Sequence, residues 1–264
     1  MDIEIDTVAF QYCEPLFVTD PFLIGGHSSD RANGTITYIQ FNGQAYGITC
    51  AHVYYQQFPD NKWLAIHGKG RYVYQLGRFT SEGYKSNFHP LRKEDDSNGL
   101  DIAIIYLGDT FREVHFPKKG KLAVNLDDWT EPNWGEITHP MAFGYPTEHK
   151  SQSPDFVESP LIHVAVEVTR KISPFDSSFL LASSLESEHG YYFSGMSGGP
   201  VFHVHDGGEI TLIGIVYEGT PGSSKEWLAR DAQAFFTNSD IQIRAHTLTP
   251  EIFEGWLKQA GLIQ

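Results

Sequence analysis

The stretch GTITYIQFNGQAYGITCAHV, residues 34–53, places two runs rich in β-branched and aromatic residues on either side of Asn42-Gly43. Asn-Gly between such runs is a strong short-range hairpin signal, because both central positions of the favoured turn need a positive φ. The pattern recurs along the chain. RYVYQLGRFT, LDIAIIYLG, ITHPMAFGYP, LIHVAVEVTRKI, GPVFHVHDGGEITLIGIVYEG and AQAFFTN read as further strands, with Asp206-Gly207-Gly208 as another tight turn. Helical periodicity gathers at the C-terminus. There TLTPEIFEGWLKQAGL offers Thr249 as N-cap, Pro250 at the first helical position, Ile252, Phe253, Trp256 and Leu257 on one face, and Gly261 as the stop. Many short strands followed by one helix predict an all-β barrel or sandwich protein. The polar stretch 81–99 reads as a surface loop and 117–135 as a connector between two halves. Residues 1–9, acidic with a few apolar positions, read as a strand that could dock on the barrel.

With 264 residues, 41% of them hydrophobic, the chain can bury one large domain or two small ones. A net charge of −14 argues against nucleic acid or an anionic membrane as the main partner and favours a basic protein or peptide. MDIEIDTVAF is acidic where a secretory signal would be basic, and DPFLIGG is too short for a signal core or a membrane span. The expectation is therefore a soluble, cytoplasmic protein. Two cysteines, Cys13 and Cys50, cannot build a framework of several disulfides, and in a reducing compartment they read as thiols.

YYFSGMSGGPVF, residues 191–202, suits neither a helix nor an ordinary strand. Glycines this dense are costly to order and belong where backbone must approach something closely. Taken alone the stretch reads equally as a surface loop or as a nucleophile, Ser197, whose neighbouring amides face a developing oxyanion. Two other places bear on the choice. GITCAHVYY puts His52 just after an apolar strand, and NGLDIAIIYL puts Asp101 at the mouth of another. Either residue alone reads as structural, but together His52, Asp101 and Ser197 follow a known chain order for a base, its orienting acid and a nucleophile.

The pieces TCAHV, LDIAII, AFGYP, GMSGGPV and LIGIVYEG, in that order, resemble the signatures of the trypsin-like serine peptidases over roughly residues 30–240. Within that family the chain is most similar to the disulfide-poor bacterial branch related to the high-temperature-requirement proteases. The resemblance implies two packed antiparallel six-stranded β-barrels with a C-terminal helix. The first barrel would cover about 10–112, the connector 113–135, the second barrel 136–247 and the helix 250–260, all in one peptidase domain. His52 and Asp101 would come from the first barrel and Ser197 from the second. Ser197 would be the nucleophile, His52 its base and Asp101 the acid that fixes the imidazole. The N–H groups of Gly195 and Ser197 would form the oxyanion hole.

Some residues depart from the family pattern. Met196 stands where the secreted digestive enzymes carry an Asp that pairs with a new N-terminus, so activation by that ion pair is impossible. Control then falls to a partner protein, an oligomer or the ordering of the loop SSLESEHGYY that leads to Gly195. By offset, Tyr191 matches the base of the primary pocket, while Tyr217, Glu218 and Gly219 match the edge strand that pairs with substrate, with Gly219 leaving the entrance open. Tyr191 speaks against strict Lys/Arg cleavage, whereas Glu218 and the overall charge favour basic substrates. Phe235 and Phe236 could wall the pocket or be plain core.

No cofactor motif is present. His203 and His205 share a strand face at a spacing that can hold zinc but have no third ligand, and residues 93–96 lack the alternating acidic spacing of a calcium loop, so no metal is expected. The expected function is a serine endopeptidase acting on protein or peptide substrates. The alternatives are a catalytically silent peptide-binding module of the same fold, or an esterase.

Overall fold

The computed structural model describes residues 5–19, 34–56, 63–67, 73–81, 83–96, 98–152, 157–222 and 239–264. The first half contributes β1 (Cys13–Thr19), β2 (Gly34–Phe41), β3 (Gln44–Thr49), β4 (Trp63–His67), β5 (Val73–Gln75), β6 (Gly77–Thr80), β7 (Gly83–Ser86), β8 (His89–Pro90), β9 (Ala103–Tyr106) and β10 (Val124–Asn125). Its main sheet runs β5-β4-β1-β2-β3-β9-β8, with β10 added in parallel beside β2, while β6 and β7 form a separate hairpin. The β2–β3 turn has positive φ at Asn42 and Gly43, as the dipeptide predicts. Asp127 of the connector accepts both turn N–H groups, at 2.7 and 3.0 Å. Leu76 joins the two margins of the sheet, its N–H donating to Leu64 and its carbonyl accepting from Asn87, so the sheet curls on itself.

The second half contributes β11 (Met141–Gly144), β12 (Ser151–Gln152), β13 (Val157–Glu158), β14 (Ile162–Ala165), β15 (Ser178–Ser184), β16 (Pro200–Val204), β17 (Ile210–Thr220) and β18 (Asp240–Thr247). Six of these form the antiparallel order β14-β11-β16-β17-β18-β15. Past β14 the chain continues along β15, with Thr169 N–H donating to Leu180, Ala182 N–H to Glu167, and a bridge between Val168 and Leu181. The six strands thus curl round into a barrel, while the end of β17 from Tyr217 to Thr220 runs past β16 and pairs only with β18 on one side.

Each half has its own core, around Leu16, Ile36, Tyr38, Val53 and Leu64 in the first and Val166, Leu181, Met196, Val201 and Ile213 in the second. A third apolar cluster joins them. Ile39, Ile48 and Ile104 of the first sheet meet Phe143, Phe202 and Leu212 of the second and Phe253, Trp256 and Leu257 of the C-terminal helix Pro250–Gln259. Thr249 caps that helix, its hydroxyl accepting the Ile252 N–H at 3.2 Å. The chain is therefore mostly β, with two curled antiparallel sheets and a terminal helix. Among the described residues no helix is long and apolar enough to cross a membrane.

Local expectations differ in three places. Residues Ile5–Tyr12 form a helix and not a docking strand. Lys121 Nζ bonds the carbonyls of Phe10 and Cys13, satisfying the end of the helix, and Ala9 is fully buried in the joining cluster. The stretch 81–99 is only partly loop, since it holds β7 and β8. The connector opens with a helical run, 108–119, whose middle turn Phe111–His115 is π-helical. AQAFFTN, with Phe235 and Phe236, lies outside the described residues.

Candidate active site

β3 and β9 pair antiparallel with Thr49 opposite Ala103, so the C-terminal end of one strand lies beside the N-terminal start of the other. His52 follows β3 on the short helix Ala51–Tyr55, and Asp101 immediately precedes β9. Ala51 and Val53 on one side and Ile102 and Ala103 on the other are fully buried, which pins the backbone and leaves the polar side chains facing each other. His52 Nδ1 lies 2.6 Å from Asp101 Oδ2, and the His52 backbone N–H donates to Oδ1 at 3.0 Å. A carboxylate only accepts, so Nδ1 carries the proton and Nε2 is left as the acceptor. Arg92, from the segment after β8, places Nη2 3.1 Å from Oδ1. Burial pushes the Asp101 carboxyl up, but the hydrogen bonds and charge of His52 and the Arg92 guanidinium outweigh it and hold the group below the usual range.

Ser197 sits in the loop that enters β16. Gly195 and Gly198 have φ of +100° and +92°, and a Cβ on Gly198 would stand 2.0 Å from the Thr35 carbonyl oxygen. Glycine is required there on both counts. The loop is tied down by the first sheet. Thr35 N–H donates to the Ser197 carbonyl at 2.8 Å, Thr35 Oγ1 to the Gly195 carbonyl at 2.9 Å, and Thr37 Oγ1 to the Gly198 carbonyl at 2.7 Å. From the second barrel, Thr147 N–H donates to the Ser194 carbonyl at 2.7 Å. That bond fixes the Ser194–Gly195 peptide and turns the Gly195 N–H the opposite way, because the peptide is planar and trans. Met196 is fully buried in the second core and anchors the loop by packing.

The N–H groups of Ser194, Met196, Gly198 and Gly199 all have acceptors, whereas among the described residues those of Gly195 and Ser197 have none. Two unbonded donors beside a hydroxyl are what an oxyanion site needs. The Ser197 hydroxyl itself donates to the Tyr217 carbonyl at 3.2 Å, and no hydrogen bond joins it to His52. Tyr217 is the extra residue of a β-bulge in β17, between Val216 paired with Ala245 and Glu218 paired with Arg244. Bulges re-aim backbone in this way beside functional sites.

The other expected substrate residues are more dispersed. Glu218 is exposed and pairs with Arg244 at 3.5 Å. A Cβ on Gly219 would stand 2.5 Å from that of Phe193. Tyr191 is 48% exposed, its ring 5.2 Å from that of His149. Residues 223–238, which follow the edge strand, lie outside the described part. The Tyr217 ring stacks on His246 at 4.3 Å, and burial holds that imidazole down to about 4, so it is neutral near pH 7.

Among the described residues, one group offers metal-ligating atoms within 4.8 Å of one another: Cys50, His52 and Asp101. Its chemistry is poor for a metal. The Cys50 thiol donates to the Val216 carbonyl at 3.2 Å, burial drives its pKa well up, and Nδ1 of His52 is already engaged by Asp101. His203 and His205 have rings 4.5 Å apart, but His205 Nε2 bonds the Thr211 hydroxyl at 2.9 Å. Thr35, Thr147 and His246 were not legible as site residues in the sequence, since each acts across a long chain separation, and Arg92, though near Asp101 in sequence, belongs to no local motif.

No family model matches the sequence, and no curated protein matches it. One similar solved structure is the scabies mite inactivated protease paralogue S-D1, at 13% identity and a TM-score of 0.47, over 98% of this chain and 96% of that one.

Proposed function

We propose that this chain is a serine endopeptidase in which Ser197 attacks the peptide carbonyl, His52 takes and returns the proton and Asp101 orients His52. The observation that carries this reading is the coincidence of the His52–Asp101 pair with two unbonded N–H groups, Gly195 and Ser197, around one hydroxyl. In the first step the Ser197 Oγ–H proton moves to His52 Nε2 as the Oγ–C bond forms. The carbonyl oxygen takes up the negative charge opposite the two N–H groups. Collapse breaks the C–N bond, and His52 gives its proton to the leaving amine. Water then repeats the sequence on the acyl-enzyme.

The Ser197 hydroxyl donates to the Tyr217 carbonyl, so a substrate backbone N–H that claimed that carbonyl would free the hydroxyl for His52. Binding along the edge strand Tyr217, Glu218 and Gly219 would thus assemble the reacting groups. The two buried free thiols, Cys13 and Cys50, support placement in a reducing compartment and in the disulfide-poor bacterial branch of the trypsin-like family. Exposed Glu218 supports a peptide substrate with basic residues.

The bond from Ser197 to Tyr217 also favours a second reading, a silent module that grips peptides without cutting them. Turnover of a casein digest and of a matched ester by the parent and by Ser197→Ala separates the possibilities. Peptide cleavage by the parent alone supports the endopeptidase, ester turnover alone supports an esterase, and equal cleavage by the Ala variant rules out Ser197.

A further inference from the structure

We infer that Arg92 is a positioning residue of this site, one that fixes the Asp101 carboxylate against His52. The inference rests on the reading of Ser197 as nucleophile and His52 as base.

Both oxygens of Asp101 are engaged: Oδ2 by His52 Nδ1, and Oδ1 by the His52 N–H and by Arg92 Nη2. Such a carboxylate cannot rotate without breaking a charge-assisted bond. A guanidinium stays protonated at every accessible pH, so the carboxylate always has a cation against it. Arg92 is also poorly accounted for as a stabilising residue. The Arg92 and Asp101 side chains are 16% and 9% exposed, and Arg92 Nε is buried with no hydrogen-bond partner. An orphaned buried donor is destabilising, and a buried ion pair is weak support for a fold.

The groups facing Asp101 come from several elements: Cys50 at the end of β3, His52 on the helix Ala51–Tyr55, Arg92 after β8, and His246 on β18. Burial keeps Cys50 as the neutral thiol and His246 as the neutral imidazole near pH 7. Arg92 is therefore the permanent charge that Asp101 meets among the described residues. Behind it, the Arg92 carbonyl accepts the Tyr55 hydroxyl at 2.7 Å, and Glu94 and Asp95 act on that phenol. When the Ser197 proton reaches Nε2, Asp101 stabilises the imidazolium, and Arg92 on the far side of the carboxylate reduces that support.

The test uses Arg92→Gln and Arg92→Lys in the full chain. The rate of fluorophosphonate adduct formation at Ser197 is followed by intact mass from about pH 5 to 9, beside melting temperature. Loss of the Nη2–Oδ1 bond in Arg92→Gln should lower the rate plateau about tenfold at unchanged melting temperature. Arg92→Lys, which keeps a cation beside Oδ1, should lower it less. An unchanged plateau in a folded Arg92→Gln protein overturns the inference. If neither parent nor variants form an adduct, the nucleophile reading fails separately. The low-field Nδ1 proton resonance of His52 then decides on Arg92 alone: a shift in Arg92→Gln with retention in Arg92→Lys supports the role, and an unchanged resonance in both refutes it.

Discussion

Among the described residues, two imidazole–carboxylate pairs have a buried carboxylate, and their difference separates the proposed catalytic pair from a structural one. His52 and Asp101 meet at 2.6 Å, with the His side chain 36% exposed. His115 and Glu14 meet at 3.1 Å, with side chains 9% and 5% exposed. Glu14 also accepts the Tyr38 hydroxyl at 2.8 Å and has the Lys121 charge nearby. Both carboxyls lie below their usual range although burial pushes each of them up. The perturbation is thus shared, and it does not mark function. What distinguishes the Asp101 pair is a partly exposed imidazole and a loop from the other barrel that presents a hydroxyl and two N–H groups with no acceptor among the described residues. The Glu14 pair has neither; it ties β1 and β2 to the helical run 108–119.

Substitution should split the two pairs in opposite directions. Asp101→Asn, whose amide oxygen takes the Oδ1 place beside two donors and whose NH₂ then donates to His52 Nδ1 and stabilises the wrong tautomer, should cost about 10⁴ in turnover and leave the melting temperature near that of the parent, by analogy with the well-studied serine protease triad. Similar turnover in that variant would show that the cleft pair is as structural as the buried one. Glu14→Ala should do the reverse. It strands Lys121 and His115 in a buried site and should lower stability by about 3–5 kcal/mol in urea titration, while the folded fraction keeps its specific activity. A loss of specific activity there would join the two pairs into one network.

Thr35→Val tests the bridge between barrels. It removes the donor to the Gly195 carbonyl and the acceptor of the buried Tyr145 N–H, bonded at 2.9 and 3.1 Å. About 1–3 kcal/mol of stability should be lost, with a fall in kcat larger than any change in KM. A rise in KM alone would move Thr35 from shaping the oxyanion site to binding substrate.

The smallest effect concerns acid. A carboxyl whose folded pKa is depressed binds fewer protons than in the unfolded chain, so its contribution is complete above the unfolded value, about 4 for either group, and is lost as pH falls through the folded one. Melting temperature measured between about pH 3 and 6 should therefore fall less steeply in Glu14→Ala than in the parent. An equal slope would show that Glu14 is not held below its usual range.

The sequence carried what is local. Asn42-Gly43 fixes a hairpin, Thr249-Pro250 opens a helix, and the order of His52, Asp101 and Ser197 marks the proposed reacting groups because each sits in its own short motif. It did not carry what one segment imposes on a distant one. Ile5–Tyr12 is helical because Lys121 satisfies its last carbonyls and the joining cluster buries Ala9, and neither partner is near in sequence. Thr35 lies 160 residues from the carbonyl it holds. Arg92 sits in a stretch that composition marks as a solvated loop, and only the folded chain turns it onto Asp101. The bulge at Tyr217 arises from register with β18 and has no signature of its own.

The central claim is that Ser197 is activated by the open pair and not by chance proximity. Fluorophosphonate treatment of the full chain near pH 8, followed by peptide mapping, tests it most directly. The account predicts one adduct, on Ser197, absent in Ser197→Ala, slowed at least a hundredfold in Asp101→Asn and unchanged in folded Glu14→Ala. A folded parent that forms no adduct, or forms one on another residue, would contradict it.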